Sequence, residues 1–435
     1  MPPCFSRPIS MRRFLHSLLA VLASVTLGLS QGTSSPPTLD QVLEEALSRN
    51  LRLLAERFKL SIAEARILQA RLKPNPVLSL GGNYLDILGS GFNPSTNAAG
   101  PTEINARIDY ILERGNKRQE RIAVAEAGKA VSQLELLNTT RNLILDVQSG
   151  FTDLLLAKEN AALAKASLEA FNQIVSVNQT RVSAGDLARV ELVRSEVAQL
   201  QFSNQVRQAE SRVRLARNRL QALMGRIAYD PAFDVTGELR REPLLAAKPE
   251  LTQLAFSSRP DLDALRRDQA RSQAELRLQL AQGKVDYTVG AAVNRQFGVG
   301  GLTSGNSAGV FFSMPLPVNN KNQGEIERAR REQEQIQARI RSLEQEIQAE
   351  VENAFEQYQT AQQLLDRMEQ DLLDRAKRVR EVTDFSYRRG EATFVELLDA
   401  QRTYNETMQG YNEARAEYGR TLFLIDAITG KGLRK

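Results

Sequence analysis

The residues best placed to do chemistry in this sequence are acidic, and they sit just past two glycines. Glu396 and Asp399 follow Gly390 and stand three apart, so a helix would carry both on one face. Glu191 follows Gly185 in the same manner. Carboxylates so placed attract cations if they converge, and form an ordinary solvated helix face if they do not. Little else qualifies. The sole Cys and the sole His, Cys4 and His16, both lie in the first segment. No nucleophile-plus-base set with Cys or His can be built elsewhere, and no P-loop or Gly-x-Gly-x-x-Gly follows a strand pattern. The sequence therefore points to no enzyme, no catalytic residue, no metal site and no cofactor.

The first segment, residues 1–32, reads as a secretory signal. Arg12 and Arg13 form a basic start, and Phe14 to Leu29 is an apolar run. That run is short for a membrane helix, which needs about 20 residues. Its removal would leave a chain with neither Cys nor His, which excludes disulfides and Cys/His metal sites. Arg7, Arg12 and Arg13 would leave with it, so three positive charges are lost and the formal net charge falls from +5 to +2. A mixed-sign surface near neutrality carries no nucleic-acid footprint. Elsewhere no apolar run is long enough for a transmembrane helix.

The elements that would position the acids form a pattern that occurs twice. Residues 38–225 read as helix, strand, loop, strand, long helix, glycine tip and shorter helix. The strands are expected at 76–84 and 102–112, and the tip near Gly185. Within 102–112, Ile104, Ala106, Ile108 and Tyr110 alternate with Glu103, Asn105, Arg107 and Asp109, the mark of a two-faced strand. Residues 226–248 change character and read as a linker, with a possible short strand at 233–239. Residues 249–430 repeat the order, with strands at 284–294 and 309–316 and a tip near Gly390. Residues 431–435 are a tail. At an offset of 205, Gly185, Glu191, Leu192 and Gly225 fall on Gly390, Glu396, Leu397 and Gly430. At 204, Val147 and Phe151 fall on Val351 and Phe355. The matching order of elements argues for duplication.

Lengths then constrain the architecture. A helix of roughly 66 residues spans about 100 Å. The two shorter helices of each half add up to nearly that length and could follow one another beside it. Four two-faced strands cannot close alone, since membrane barrels need about eight or more. Three copies would supply 12 strands and 12 helical positions around one axis. A soluble coiled-coil scaffold with decorative hairpins is the alternative from another class.

At this point the chain resembles a known family, the TolC-like outer-membrane efflux proteins. The resemblance runs from Leu39 to Gly430. It rests on Leu39-Asp-Gln-Val-Leu-Glu-Glu-Ala, Pro74-Asn-Pro, Gly115-Asn-Lys-Arg118, Asn322-Gln-Gly-Glu-Ile326 and Tyr387…Gly390…Val395-Glu-Leu-Leu-Asp-Ala-Gln401. The Gly-x-Lys-Arg and Asn-Gln-Gly elements look most like the metal-cation branch, CzcC/CusC-like. The resemblance implies a mainly α fold with a β-barrel: a homotrimer whose 12-stranded outer-membrane barrel continues into a periplasmic α-helical barrel. It also implies contact with outer-membrane lipid, a periplasmic adaptor protein and an inner-membrane pump at the tips, and a passive export duct for metal cations or small toxic molecules. A duct for type I protein secretion is the alternative within that class.

The resemblance further implies a gate at the tip, lined by a tyrosine and acidic residues. Register carries these onto Tyr387, Glu396 and Asp399, and onto Glu191 in the first half. Gly185 and Gly390 become the turn residues of the hairpin tips, where an adaptor would dock. A family member has a gating arginine two residues after the glycine. This chain has Ala392 there, so the resemblance carries over no ion-pair lock.

Overall fold

The computed structural model describes residues 36–85, 102–298 and 304–431. The signal expected at 1–32 lies outside them, as do most of the two Gly-rich loops and residues 432–435 of the tail. Helices α1 (Leu39–Arg49) and α2 (Leu51–Arg71) lead to strands β1 (Val77–Asn83) and β2 (Glu103–Leu112). The long helix α3 (Lys117–Ala184) and α4 (Arg189–Leu223) follow. The same order then runs through α5 (Lys248–Ser258), α6 (Pro260–Gln282), β3 (Tyr287–Gln296), β4 (Gly305–Ser313) and α7 (Gln323–Arg367). It ends with a π-helical turn (Met368–Leu372), α8 (Leu373–Arg389) and α9 (Phe394–Ile428). Among the described residues no helix is long and apolar enough to cross a membrane.

Four local differences from the sequence expectation have identifiable causes. The opening helix of each half is broken in two. Asn50 leaves the helical region at ψ 122° and accepts from the Leu53 amide as the cap of α2. Arg259 does likewise at ψ 121°, because Pro260 pushes its predecessor out of the α region. A helical period survives such breaks unchanged, so periodicity alone reads through them. The third strand starts at Tyr287 instead of 284: Asp286 is taken by the Arg114 amide at 2.9 Å and Lys117 at 2.7 Å. The fourth runs from 305 to 313, before Pro315 and Pro317. Residues 233–239 join no sheet. The Val235 amide is bonded by Asp234, and the Thr236 amide by the Pro37 carbonyl.

The breaks have a use. The end of α4 closes on the first one, where the Asn50 side-chain amide donates to the Leu223 carbonyl at 2.8 Å. A Cβ on Gly225 would meet the Arg49 carbonyl oxygen at 2.4 Å, so only glycine permits this approach. The end of α9 closes on the second, where the Ser258 hydroxyl donates to Thr429 at 2.6 Å. Helices α2 and α4 thus follow one another along α3, which packs on both.

The second long helix is interrupted where the first is not. Buried positions match at an offset of 204 before the π turn: Leu143 with Ile347, Val147 with Val351, Leu154 with Tyr358. After it the tip glycines match at 205. A π turn takes up one extra residue without rotating the faces on either side. This one is tied down by Glu369, which accepts from the Tyr411 hydroxyl at 3.0 Å and pairs with Arg241 of the linker.

The sheet is antiparallel in the order β1-β2-β3-β4. Paired residues share a face. One face carries Leu78, Leu80, Ile108, Val289, Val293, Val310 and Phe312, all exposed in this single chain. The other carries Asn105, Arg107, Asp109, Thr288, Asn294 and Ser307. Arg107 bonds Asp109 at 2.9 Å and lies over the Phe311 ring. Below the sheet lie three apolar cores. One joins α1, α3 and α4 to the linker, one joins α5, α7 and α9, and one sits at the tips.

Candidate functional site: the hairpin tips

Both tips are built by the same backbone device. Gly185 and Gly390 sit at φ 85° and 78°, the left-handed region that side chains with a Cβ avoid. At the first, the Gly185 amide donates to Val182 and the Asp186 amide to Arg181. At the second, Gly390 donates to Tyr387 and Glu391 to Ser386. These paired bonds satisfy carbonyls that a helix end otherwise leaves open.

The helices leaving the tips start differently. At the second, Thr393 and Glu396 bond each other reciprocally. The Glu396 carboxylate accepts from the Thr393 amide at 2.7 Å and its hydroxyl at 2.9 Å, while the Glu396 amide donates back to the hydroxyl. The Thr393 amide and hydroxyl together hold the carboxyl below the usual glutamate range. At the first, Ala188 stands where Thr393 would be and offers no side-chain bond. Glu191 instead pairs with Arg194 at 2.8 Å, one turn further along its own helix. Asp399 is exposed one turn beyond Glu396. Among the described residues it has no ion-pair partner.

Tyr387 does not stand free at the tip. It is 4% exposed and packs with Phe394, Leu397, Phe171, Ile174 and Phe202. Phe171 stacks on Phe202 at 4.3 Å and meets Phe394 edge-on. The Tyr387 hydroxyl donates to Asn178 Oδ1 at 2.7 Å. Burial pushes the phenol above its ordinary range, and the Asn178 bond and nearby Arg181 oppose that shift. The Asn178 Nδ2 is buried without a partner.

Three groups here were not visible to sequence reasoning. Arg181, from α3, donates to the Tyr387 carbonyl at 3.4 Å and so brings a cation from the first tip to the second. Phe394 closes the tip core. A polar ladder joins α3 to α9: Ser167 donates to Asn405 at 2.9 Å, Gln401 donates to the same oxygen, and Asn412 donates to Asn160 at 2.9 Å. The Thr393-x-x-Glu396 spacing was the one signal available for the cap. The partners of Tyr387 and Asn405 lie more than 200 residues away and left no local trace.

Among the described residues no group of three or more His, Cys, Asp or Glu could hold a metal ion. Exposed carboxylates sit on helix faces beside a rigid aromatic core, at the end of a rod about 100 Å long.

Comparison with known proteins places this architecture. The profile of the outer membrane efflux protein family matches residues 42–226 and 251–431, one match in each half. The cobalt-zinc-cadmium resistance protein CzcC of Cupriavidus metallidurans is 26% identical over 399 residues, 92% of this chain and 91% of that protein. The pyoverdine export outer membrane protein OpmQ of Pseudomonas aeruginosa is 24% identical over 84% of this chain and 79% of its own length. The open-state MtrE outer membrane channel of Neisseria gonorrhoeae shares the fold, with a TM-score of 0.73 at 19% identity over 91% of this chain and 90% of that one. This protein belongs to the outer membrane efflux protein family and is an efflux channel of the outer membrane that extends into the periplasm.

Proposed function

We propose that three copies of the chain close one barrel and form the passive duct of a tripartite efflux system. The sheet carries this reading. It has one apolar face, one polar face and two free edges, β1 and β4. Open edges leave backbone groups unsatisfied in hydrocarbon, so a membrane sheet must close. Four strands are too few, and three copies supply 12. An even number of strands per copy keeps the alternation antiparallel across each joint. The apolar face then meets lipid, and Asn105, Arg107 and Asp109 face an aqueous lumen. The two repeats, 38–225 and 249–430, would supply the 12 positions of the helical barrel. The linker 226–248 would belt it.

In this arrangement the tips at Gly185 and Gly390 meet a periplasmic adaptor, and an inner-membrane pump supplies the energy. Three-fold repetition turns Glu396, Asp399 and Glu191 into acidic rings that favour cations. Tyr387 acts from behind, holding α3 against α8 and α9 and thereby setting the width of the gate. The cargo of this reading is metal cations or small toxic molecules. CzcC is named for cobalt-zinc-cadmium resistance, and OpmQ for pyoverdine export.

Planar-bilayer recording of the purified trimer tests both parts. The expected channel is cation-selective and blocked by divalent cations. The double variant Glu396→Gln, Asp399→Asn should lose much of both properties. Glutamine at that position can still complete the cap, so the variant removes charge with little change in fold. A trimer that never conducts would support a scaffold instead, and unchanged selectivity would reduce the acids to a solvated face.

A further inference from the structure

Between α3, α7 and the end of α9 lies a cleft of about 310 Å³, at the low end of small-molecule sites. Arg141 and Asn142 line one side, Asn353, Gln357 and the half-exposed Glu350 the other, and Leu424 and Ile428 form an apolar wall. The Arg141 side chain is 10% exposed. Its Nη2 makes two long bonds, to Asp261 at 3.3 Å and Asn142 at 3.4 Å. Its Nη1 is buried and has no acceptor. A buried guanidinium donor without a partner is costly, and its charge makes it more so.

The reason for the shortage lies next door. Arg259, 3% exposed, takes both oxygens of Asp261, at 3.0 and 2.6 Å, and also pairs with Glu350. Both oxygens of Asp261 are thus committed to Arg259, and Arg141 shares one already in use. Burial draws the Arg141 guanidinium below its ordinary range, and Asp261 only partly restores it. Asn138 Oδ1, three residues earlier on α3, is also buried without a partner.

The position of the cleft bears on its occupant. On α7, Glu352 pairs with Lys248 at the start of α5. Glu350, Asn353 and Gln357 fall on the other flank of that helix. In the trimeric duct proposed above, on which this inference rests, the linker side is outside and the cleft opens to the lumen.

We propose that this cleft is a subsite for a small amphiphilic carboxylate. The carboxylate group meets Arg141 Nη1 and the flanking side-chain amides, and its apolar body lies on Leu424 and Ile428. Cargo bearing a carboxylate would then touch the wall midway along the duct.

The test is fluorine NMR of 4-(trifluoromethyl)benzoate with the purified full-length protein in detergent. The neutral 4-(trifluoromethyl)benzyl alcohol reports partition into detergent. The expected result is line broadening for the acid well beyond that for the alcohol. Arg141→Met should weaken this binding about ten-fold, the loss of one charge-assisted hydrogen bond. Asn353→Leu keeps Arg141 but fills the cleft and should also abolish the excess broadening. It decides the matter if Arg141→Met fails to fold. Equal broadening by acid and alcohol, or binding untouched by the folded variants, overturns the site. Conductance measured on the same preparation separates the two proposals. A conducting protein that does not bind loses the subsite but keeps the duct, and a binding protein that does not conduct keeps the cleft but loses its lumenal role.

Discussion

The two hairpin tips share a backbone and differ in chemistry. Both turn on a left-handed glycine closed by the same pair of bonds. Past the glycine they diverge. The second has a reciprocal Thr393–Glu396 cap, a buried tyrosine and Phe394 in its core. The first has Ala188, Val182 and the exposed Arg189 at the corresponding positions. The first tip gives Arg181 to its neighbour, and its Glu191 turns along its own helix to Arg194. The second hairpin is thus the more firmly packed and capped of the two, and the first is bonded to it through Arg181.

Substitutions at corresponding positions should expose that asymmetry. The largest effect is expected from Phe394→Ala, which empties the cluster with Phe171 and Tyr387 at a cost of about 3–5 kcal/mol. Its counterpart Arg189→Ala removes an exposed side chain and should leave stability nearly unchanged. Hydrogen exchange of tip peptides reads both, and equal effects would erase the distinction. Tyr387→Phe comes next. It keeps the ring but leaves Asn178, already short of one partner, with no bond at either end, at about 1–3 kcal/mol. A matching rise in tip exchange, with conductance altered and the trimer intact, would separate its positioning role from simple packing.

The smallest effect concerns the caps. Thr393→Ala should cost about 1 kcal/mol, whereas Ala188→Thr should add part of that at the first tip, bringing the two closer together. The cap also carries a pH signature. Glu396 has a folded value below its unfolded one, so its stabilising contribution is fully present above the ordinary glutamate range. It is lost as pH falls through the lowered value. The stability difference between the wild type and Glu396→Gln should shrink in that acid window and be flat above it.

How far the sequence carried each part follows from the range of the interactions. The sheet faces were legible because alternation is local: Ile104 to Tyr110 declare their face within one strand. The tip glycines were legible because a positive φ is a demand on one residue. The start of the third strand was misplaced by three residues, since side chains and backbone of the other half claim Asp286, the Lys117 amine among them. The acids at the tips were found by register, but their different uses were not. Glu396 and Glu191 are equivalent by sequence, and only the presence of Thr393 or Ala188 three residues earlier separates a cap from an ion pair along the helix.

By itself, then, the sequence determined what depends on one to four neighbouring residues: helix period, strand alternation, the glycine turns and the order of elements. Tertiary structure decided what depends on residues brought together across the chain. It closed the ends of α4 and α9 on the breaks at Asn50 and Arg259. It placed the one-residue difference between the long helices in a π turn bonded to Tyr411 and Arg241. It buried Tyr387 against Asn178 and left Arg141 with a donor unspent. The physical reason is the same in each case. A periodic pattern fixes which face a residue occupies, but a hydrogen bond or a packed ring needs a partner within a few ångströms, and here the partners lie tens to hundreds of residues away.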